Sequence, residues 1–158
     1  MPGESYVQPT LAYRDPMAAA KWLQEVFGAE VFTLLTDEQG RVGHCVMSFG
    51  AAQVGVMGEW NPGGPDSPAQ MKSPLSLGGA GTQFLWLTVP DVRAHCEHAR
   101  QAGARILQEP ADQFYGDRTY RALDCDGHVW NFRQKVEELP ADAFSKMGLT
   151  ERAGELKA

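Results

Sequence analysis

No stretch of 18 or more apolar residues occurs in the sequence, so a membrane-spanning helix is not expected. Positive charge is also short: 14 Lys and Arg stand against 20 Asp and Glu, a net −6 at pH 7. Proteins that neutralise nucleic-acid phosphates need clustered cations, so this balance argues against nucleic acid as a partner. Cysteine is scarce. Cys45, Cys96 and Cys125 are odd in number and show no C-x-x-C spacing, which argues against a disulfide framework or a structural zinc site. Reduced thiols fit a cytoplasmic protein, and Met1-Pro2-Gly3-Glu4-Ser5 has neither the basic nor the apolar region of a secretory signal. Four histidines are present, and none lies near either strand that opens a repeat copy.

What is present is a pattern written twice. Leu11-Ala12-Tyr13-Arg14-Asp15-Pro16 leads into a helical segment ending Phe27-Gly28-Ala29-Glu30; Leu85-Trp86-Leu87-Thr88-Val89-Pro90-Asp91 leads into one ending Ala102-Gly103-Ala104-Arg105. Gly28 and Gly103 are 75 positions apart, and Gly50 and Gly127 are 77 apart. Such self-similarity fixes architecture before any local motif does. With 158 residues the chain suits one domain that buries roughly 70% of its unfolded surface.

Strands are predicted at about 7–14, 30–36, 42–49 and 52–58 in the first copy, and at about 82–89, 105–109, 118–124 and 129–134 in the second. Asp15-Pro16 is an N-cap followed by a first-turn proline, and Gly28 is a left-handed helix stop. A second helix is predicted at about 91–102. Between the copies, residues 59–81 carry Pro62, Pro65, Pro68 and Pro74 among five glycines, a composition that reads as a linker or a lid.

The two copies, the Phe-Gly-Ala-Glu helix exit, and the segment Tyr115-Gly116-Asp117-Arg118-Thr119-Tyr120-Arg121-Ala122-Leu123-Asp124-Cys125-Asp126-Gly127-His128-Val129-Trp130 resemble the vicinal oxygen chelate superfamily. That group contains glyoxalase I, bleomycin-resistance proteins and extradiol dioxygenases. The likeness is greatest to its small, metal-free glyoxalase/bleomycin-resistance-like members and covers about residues 7–135. It implies an α+β fold in which two βαβββ repeats form a curved mixed sheet around a shared cavity. The domain would span 1–136, with 137–158 as a C-terminal helical appendage and a homodimer whose groove draws on both subunits.

Members of the group that perform metal chemistry hold a divalent ion with His and Glu side chains. The matching positions here are Gln8, Phe84, Asn131 and either Val54 or Gly55, none of which supplies imidazole or carboxylate. No metal and no cofactor are therefore expected. By strand parity Phe84 and Trp86 share one face, either as an aromatic pocket wall or as ordinary core. Trp60 and Tyr115 are placed to close over a ligand there. Arg121 and His44 fall at matching positions of the two copies. Arg121 in the cavity favours an anionic or carbonyl-bearing ligand, whereas the acidic balance of the whole chain suits a cationic one. Arg118 is expected to brace the hairpin through Asp117, Asp124 or Asp126. His95 and His98 read as a solvated helix flank, and His128 as bonded to nearby backbone.

Two functions of different class stand. One is a protein that binds a small planar or aromatic molecule through Gln8, His44, Trp60, Phe84, Trp86, Tyr115, Arg121 and Asn131, for resistance or sequestration. The other is a lyase- or dioxygenase-like enzyme with a non-standard metal site or with His44 as acid or base. A third, an interaction subunit with a filled cavity, requires the aromatic wall to be core.

Overall fold

Both copies fold as the repeat predicts. A computed structural model describes residues 3–154, so the ends of the predicted domain and of the predicted appendage, 1–2 and 155–158, lie outside the described residues. The first copy runs β1 (Thr10–Tyr13), α1 (Pro16–Phe27), β2 (Glu30–Thr36), β3 (Val42–Phe49) and β4 (Ala52–Gly58). The second runs β5 (Phe84–Thr88), α2 (Val92–Gln101), β6 (Arg105–Asp112), β7 (Asp117–Leu123) and β8 (Val129–Lys135). Each forms a four-stranded mixed sheet, ordered β1-β4-β3-β2 and β5-β8-β7-β6, with its first strand parallel to its last. The fold is α+β.

The helices start and stop for local reasons. Asp15 accepts from the Ala18 amide and Asp91 from the Ala94 amide, each at 3.0 Å, satisfying one of the orphan donors of a first turn. Gly28 leaves α1 at φ 77°, in the left-handed region open to glycine. β1 is shorter than the predicted 7–14 because Pro9 has no amide to donate; only its carbonyl joins the ladder, accepting from Gly55 N at 2.8 Å. Within the expected C-terminal appendage, the described residues form one short helix, α3 (Ala143–Lys146).

One core serves both copies. The helix-facing sides of the two sheets merge around Leu11, Leu23, Val26, Met47, Val92 and Tyr120. Phe27 at the end of α1 reaches across to copy two, its ring 5.4 Å from Trp130 and 4.8 Å from Phe132. Aromatic pairs at these separations add to the stabilisation that burial gives.

Polar bridges lock the same seam. Asp124, buried in the β7–β8 turn, accepts at Oδ2 from the Tyr13 hydroxyl (2.6 Å) and from Trp130 Nε1 (3.0 Å). Its Oδ1 accepts from the amides of Asp126 (3.1 Å) and His128 (2.9 Å). A buried carboxylate with four donors is well satisfied, although burial raises its pKa above the ordinary carboxylate range. Burial and the adjacent carboxylate raise the Tyr13 pKa well above its ordinary value, keeping the donor proton in place.

Three histidines bridge the copies, and one differs from expectation. His95 is partly buried rather than solvated, because α2 packs beside the end of α1. Its Nε2 donates to the free carbonyl of Phe27 at 3.0 Å, and its Nδ1 accepts from the Tyr120 hydroxyl at 2.6 Å. His98, exposed as expected, donates from Nε2 to the Glu25 carbonyl at 2.8 Å. His128 bonds backbone as expected, and that backbone belongs to copy one: its Nε2 donates to the Ala12 carbonyl at 2.8 Å. Arg118 braces β6 through Asp112 (2.6 and 3.2 Å) and none of the three predicted carboxylates, since Asp112 is its cross-strand neighbour.

Residues 59–81 are tied down. Trp60 and Met71 exchange backbone bonds of 3.1 and 2.8 Å, closing the base of a ten-residue loop. Buried Ser73 donates to Asp126 Oδ2 at 2.6 Å, and Ser73–Gly78 form a capped single-turn helix. Arg14 holds that turn through Ser76 and the Leu75 carbonyl, while its own amide donates to Asp126.

Asp124→Ala should therefore cost about 3 kcal/mol or more in urea unfolding, because it strands the Tyr13 hydroxyl and the Trp130 indole in the core. Tyr13→Phe should cost only about 1–2 kcal/mol. Burial, the largest influence on His95, pulls its pKa below the ordinary 6.5 despite the bond to Phe27. The unfolded state then binds the proton more readily, so stability is full above pH 6.5 and falls as pH drops through and below it. Urea midpoints across that range should show this loss in the native protein and less of it in His95→Gln.

Candidate functional site

Both helices lie on the core side, so the opposite faces of the two sheets are open. The ladders order the open face of copy two into rows. Phe84, Val129, Leu123 and Arg105 form one; Trp86, Asn131, Arg121 and Gln108 form the next; Thr88, Arg133, Thr119 and Ala111 form the third. Leu87, Tyr120, Ala122, Trp130 and Phe132 alternate onto the buried side. Phe84 and Trp86 are therefore not core: they remain 55% and 45% exposed, their rings edge to face at 6.3 Å.

The polar groups in these rows are fixed by each other. Arg121 Nε donates to Asn131 Oδ1 at 2.6 Å, and Asn131 Nδ2 reaches the Leu85 carbonyl at 3.5 Å. Asn131 is buried beneath the arginine, so it supports the surface rather than presenting itself. Arg133 lies over Trp86, its guanidinium carbon 5.9 Å from the ring centroid, within cation–π range. It also donates to Thr88 Oγ1 at 3.3 Å and sits 4.0 Å from Asp117.

The open face of copy one is recessed instead. Gly43, Gly55 and Gly58 line a hollow of about 300 Å³ with Gln8, His44 and Trp60. Any side chain at Gly55 would meet Thr10, whose Oγ1 would lie 2.4 Å from an added Cβ. His44 is exposed opposite Leu35, and no described side chain hydrogen-bonds it. Trp60 donates from Nε1 to the Met57 sulfur at 3.2 Å.

A larger hollow of about 480 Å³ lies where the copies meet, between the Tyr6–Pro9 segment, the β3–β4 turn and the β5 edge. Trp86 and Gln8 both line it, and Gln8 donates to Gln53 Oε1 at 2.9 Å. Phe84 and Arg121 line a third, of about 590 Å³, with Thr82 and Gln83. Six of the eight predicted residues thus fall on three hollows, and Asn131 lies buried beneath Arg121 and lines none of them. Tyr115 lines none of the three; it packs against Phe114 in the β6–β7 turn. Sequence reasoning did not single out Gln53, Gln83 or Arg133. Strand parity already set Arg133 on the face of Asn131, and only the β5–β8 register brings it to Trp86.

The donor set does not fit a divalent cation. The ladders of the two copies and their helix caps share one offset: Thr10 opposite Gly55 corresponds to Trp86 opposite Asn131, as Asp15 corresponds to Asp91, so Gln8 falls at the place of Phe84 and Gly55 at that of Asn131. An amide, a phenyl ring, an amide and a glycine are poor ligands for the metals that His and carboxylate hold. No three His, Cys, Asp or Glu side chains converge into such a site among the described residues. Glu59, beside His44, accepts instead from Ser73 N at 2.9 Å and lies 4.0 Å from Lys72; bonds from the Ser76 and Ser73 groups hold its carboxyl below the usual range.

No described helix is long and apolar enough to cross a membrane. An uncharacterized protein of Mycobacterium bovis is 29% identical over 144 residues, spanning 88% of this chain and 89% of that one. The crystal structure of TioX from Micromonospora sp. ML1 aligns with TM-score 0.64 and 29% identity over 84% of this chain and all of that one. TnmS3, an antibiotic binding protein from Streptomyces sp. CB03234, shares the fold at TM-score 0.62 and 21% identity, over 84% of this chain and 98% of its own. The Glyoxalase/Bleomycin resistance protein/Dioxygenase superfamily model matches residues 5–132, and the chain belongs to that family.

Proposed function

We propose that this protein binds and sequesters a small planar, aromatic molecule without a metal, as a homodimer in a cytoplasmic setting. The exposed Phe84/Trp86 pair carries the reading: two large rings, held off the core by strand parity and floored by the Asn131–Arg121 bond, flank open hollows. Pockets for small molecules combine apolar walls of this kind with a few oriented polar groups. An antibiotic-binding protein with the same fold supports the class of function. Catalysis by His44 would need a partner to set its tautomer, and no described side chain bonds it.

The dimer rests on what one chain leaves uncovered. Edge strand β2 exposes Val31, Phe32, Leu34 and Leu35, and the second sheet exposes Phe84 and Trp86. Monomers rarely leave large apolar patches open. A two-fold axis would set the glycine-lined face of one subunit against the aromatic face of the other, twice over. Three free thiols fit a reducing compartment.

Sedimentation should give twice the 17.3 kDa chain mass. In a thermal-shift screen of planar aromatic compounds, a true ligand at a hundredfold excess over Kd should add about 2.7 kcal/mol of stability. Trp86→Ala should weaken that ligand about tenfold. Dialysis against EDTA should leave the affinity unchanged; loss of binding that returns with one equivalent of Zn, Ni, Fe or Mn would refute the metal-free reading.

A further inference from the structure

Among the cations on the open face of copy two, Arg121 stands out. It is half-buried, and its one protein bond is from Nε to a neutral amide. No carboxylate among the described residues pairs with it, whereas Arg41, Arg100 and Arg118 each have one. Both terminal amino groups of its guanidinium are left with their donors unspent. Asn131, itself braced on the Leu85 carbonyl, fixes the plane of the fork. Guanidinium in this state is suited to two parallel bonds to a carboxylate or an enolate-like oxygen pair.

Its surroundings share that preference. Arg121 stands in the same cross-strand row as Trp86 and shares a hollow with Phe84. The side chains of Thr82 and Gln83 line that hollow and bond no other described residue. On the other side, Arg133 already occupies the cation–π position over Trp86. Arg105 ends the neighbouring row of the sheet. Asp117, one row beyond Thr119 and Arg133, lies 4.0 Å from Arg133. A cationic aromatic ligand would meet two guanidinium groups and find its ring partner taken; an anionic one would neutralise an unpaired charge in a partly dry setting, where Coulomb attraction is less screened.

We infer that the Phe84/Trp86–Arg121 face selects an aromatic anion, its ring on the Phe84/Trp86 edge and its carboxylate or phenolate on Arg121. This rests on the proposed aromatic-binding function and adds the sign of the ligand's charge. It runs against the chain's net −6, because the local arrangement and not the overall balance faces the ligand.

Three probes that differ only in charge decide it: 2-naphthoate, 2-naphthamide and 2-naphthylmethylammonium, titrated calorimetrically into the native protein at pH 7.5 and low salt. The expected order is anion, amide, cation, with the anion at least tenfold tighter than the amide and losing that advantage as salt rises. In Arg121→Gln the naphthoate-to-naphthamide affinity ratio should collapse toward one, with circular dichroism checking that the variant is folded. Equal affinities for anion and amide, or a tightest-binding cation, overturn the charge assignment and leave the aromatic-binding function standing. So does a ratio that survives in folded Arg121→Gln. Failure of all three probes to bind overturns both.

Discussion

The arrangement of the molecule depends on one buried carboxylate. Asp124 collects a tyrosine hydroxyl from the first strand of copy one, an indole from the last strand of copy two, and two amides of its own turn. Removing one donor costs about one hydrogen bond, whereas removing the carboxylate strands the hydroxyl and the indole in the core and costs more. Two residues on, Asp126 extends the tie to the backbone of Arg14 and to Ser73 in the inter-copy segment. Copies one and two are thus fastened on the helix side, where Phe27 enters the aromatic stack of Phe132 and Trp130. The consequence for function is geometric: both opposite faces are left free.

Those faces are related by the duplication but have diverged in shape and charge. Where copy two places Arg121, copy one places Val46; where copy two places Trp86 and Asn131, copy one places Thr10 and Gly55. Glycines hollow out the first face, and aromatic rings fill out the second. One scaffold written twice has produced a recess and a projecting, positively charged wall. The chemistry usual for metal-binding members of the superfamily has no donors at the corresponding positions.

Much of this was legible in the sequence. The 75- and 77-residue offsets held because Gly28, Gly103, Gly50 and Gly127 all adopt positive φ, a backbone state that ties each to a helix exit or turn. β3 and β4 and the burial of Trp130 and Phe132 followed from apolar alternation. The pairing of His44 with Arg121 is corrected by the ladders, which set Val46 at the place of Arg121, because the turn after β7 is one residue longer than the turn after β3. What sequence could not supply was contact between copies. His95 looks like a solvated flank until α2 is seen beside the α1 terminus, and Arg118 takes Asp112 because a bulged β6 is longer than its composition indicates. Composition likewise read 59–81 as linker or lid, although Ser73 and Trp60 pin it.

The indole N–H resonances of the four tryptophans test the central claim most directly, since each reports a different place. Trp130 is buried and bonded to Asp124, Trp22 packs on Phe27, Trp60 sits at the loop base, and Trp86 stands on the open face. In a two-dimensional nitrogen–proton spectrum, adding a bound aromatic ligand should move the Trp86 signal by a ring-current shift and leave Trp130 in place. A ligand that binds while the Trp86 resonance stays where it was would contradict the account.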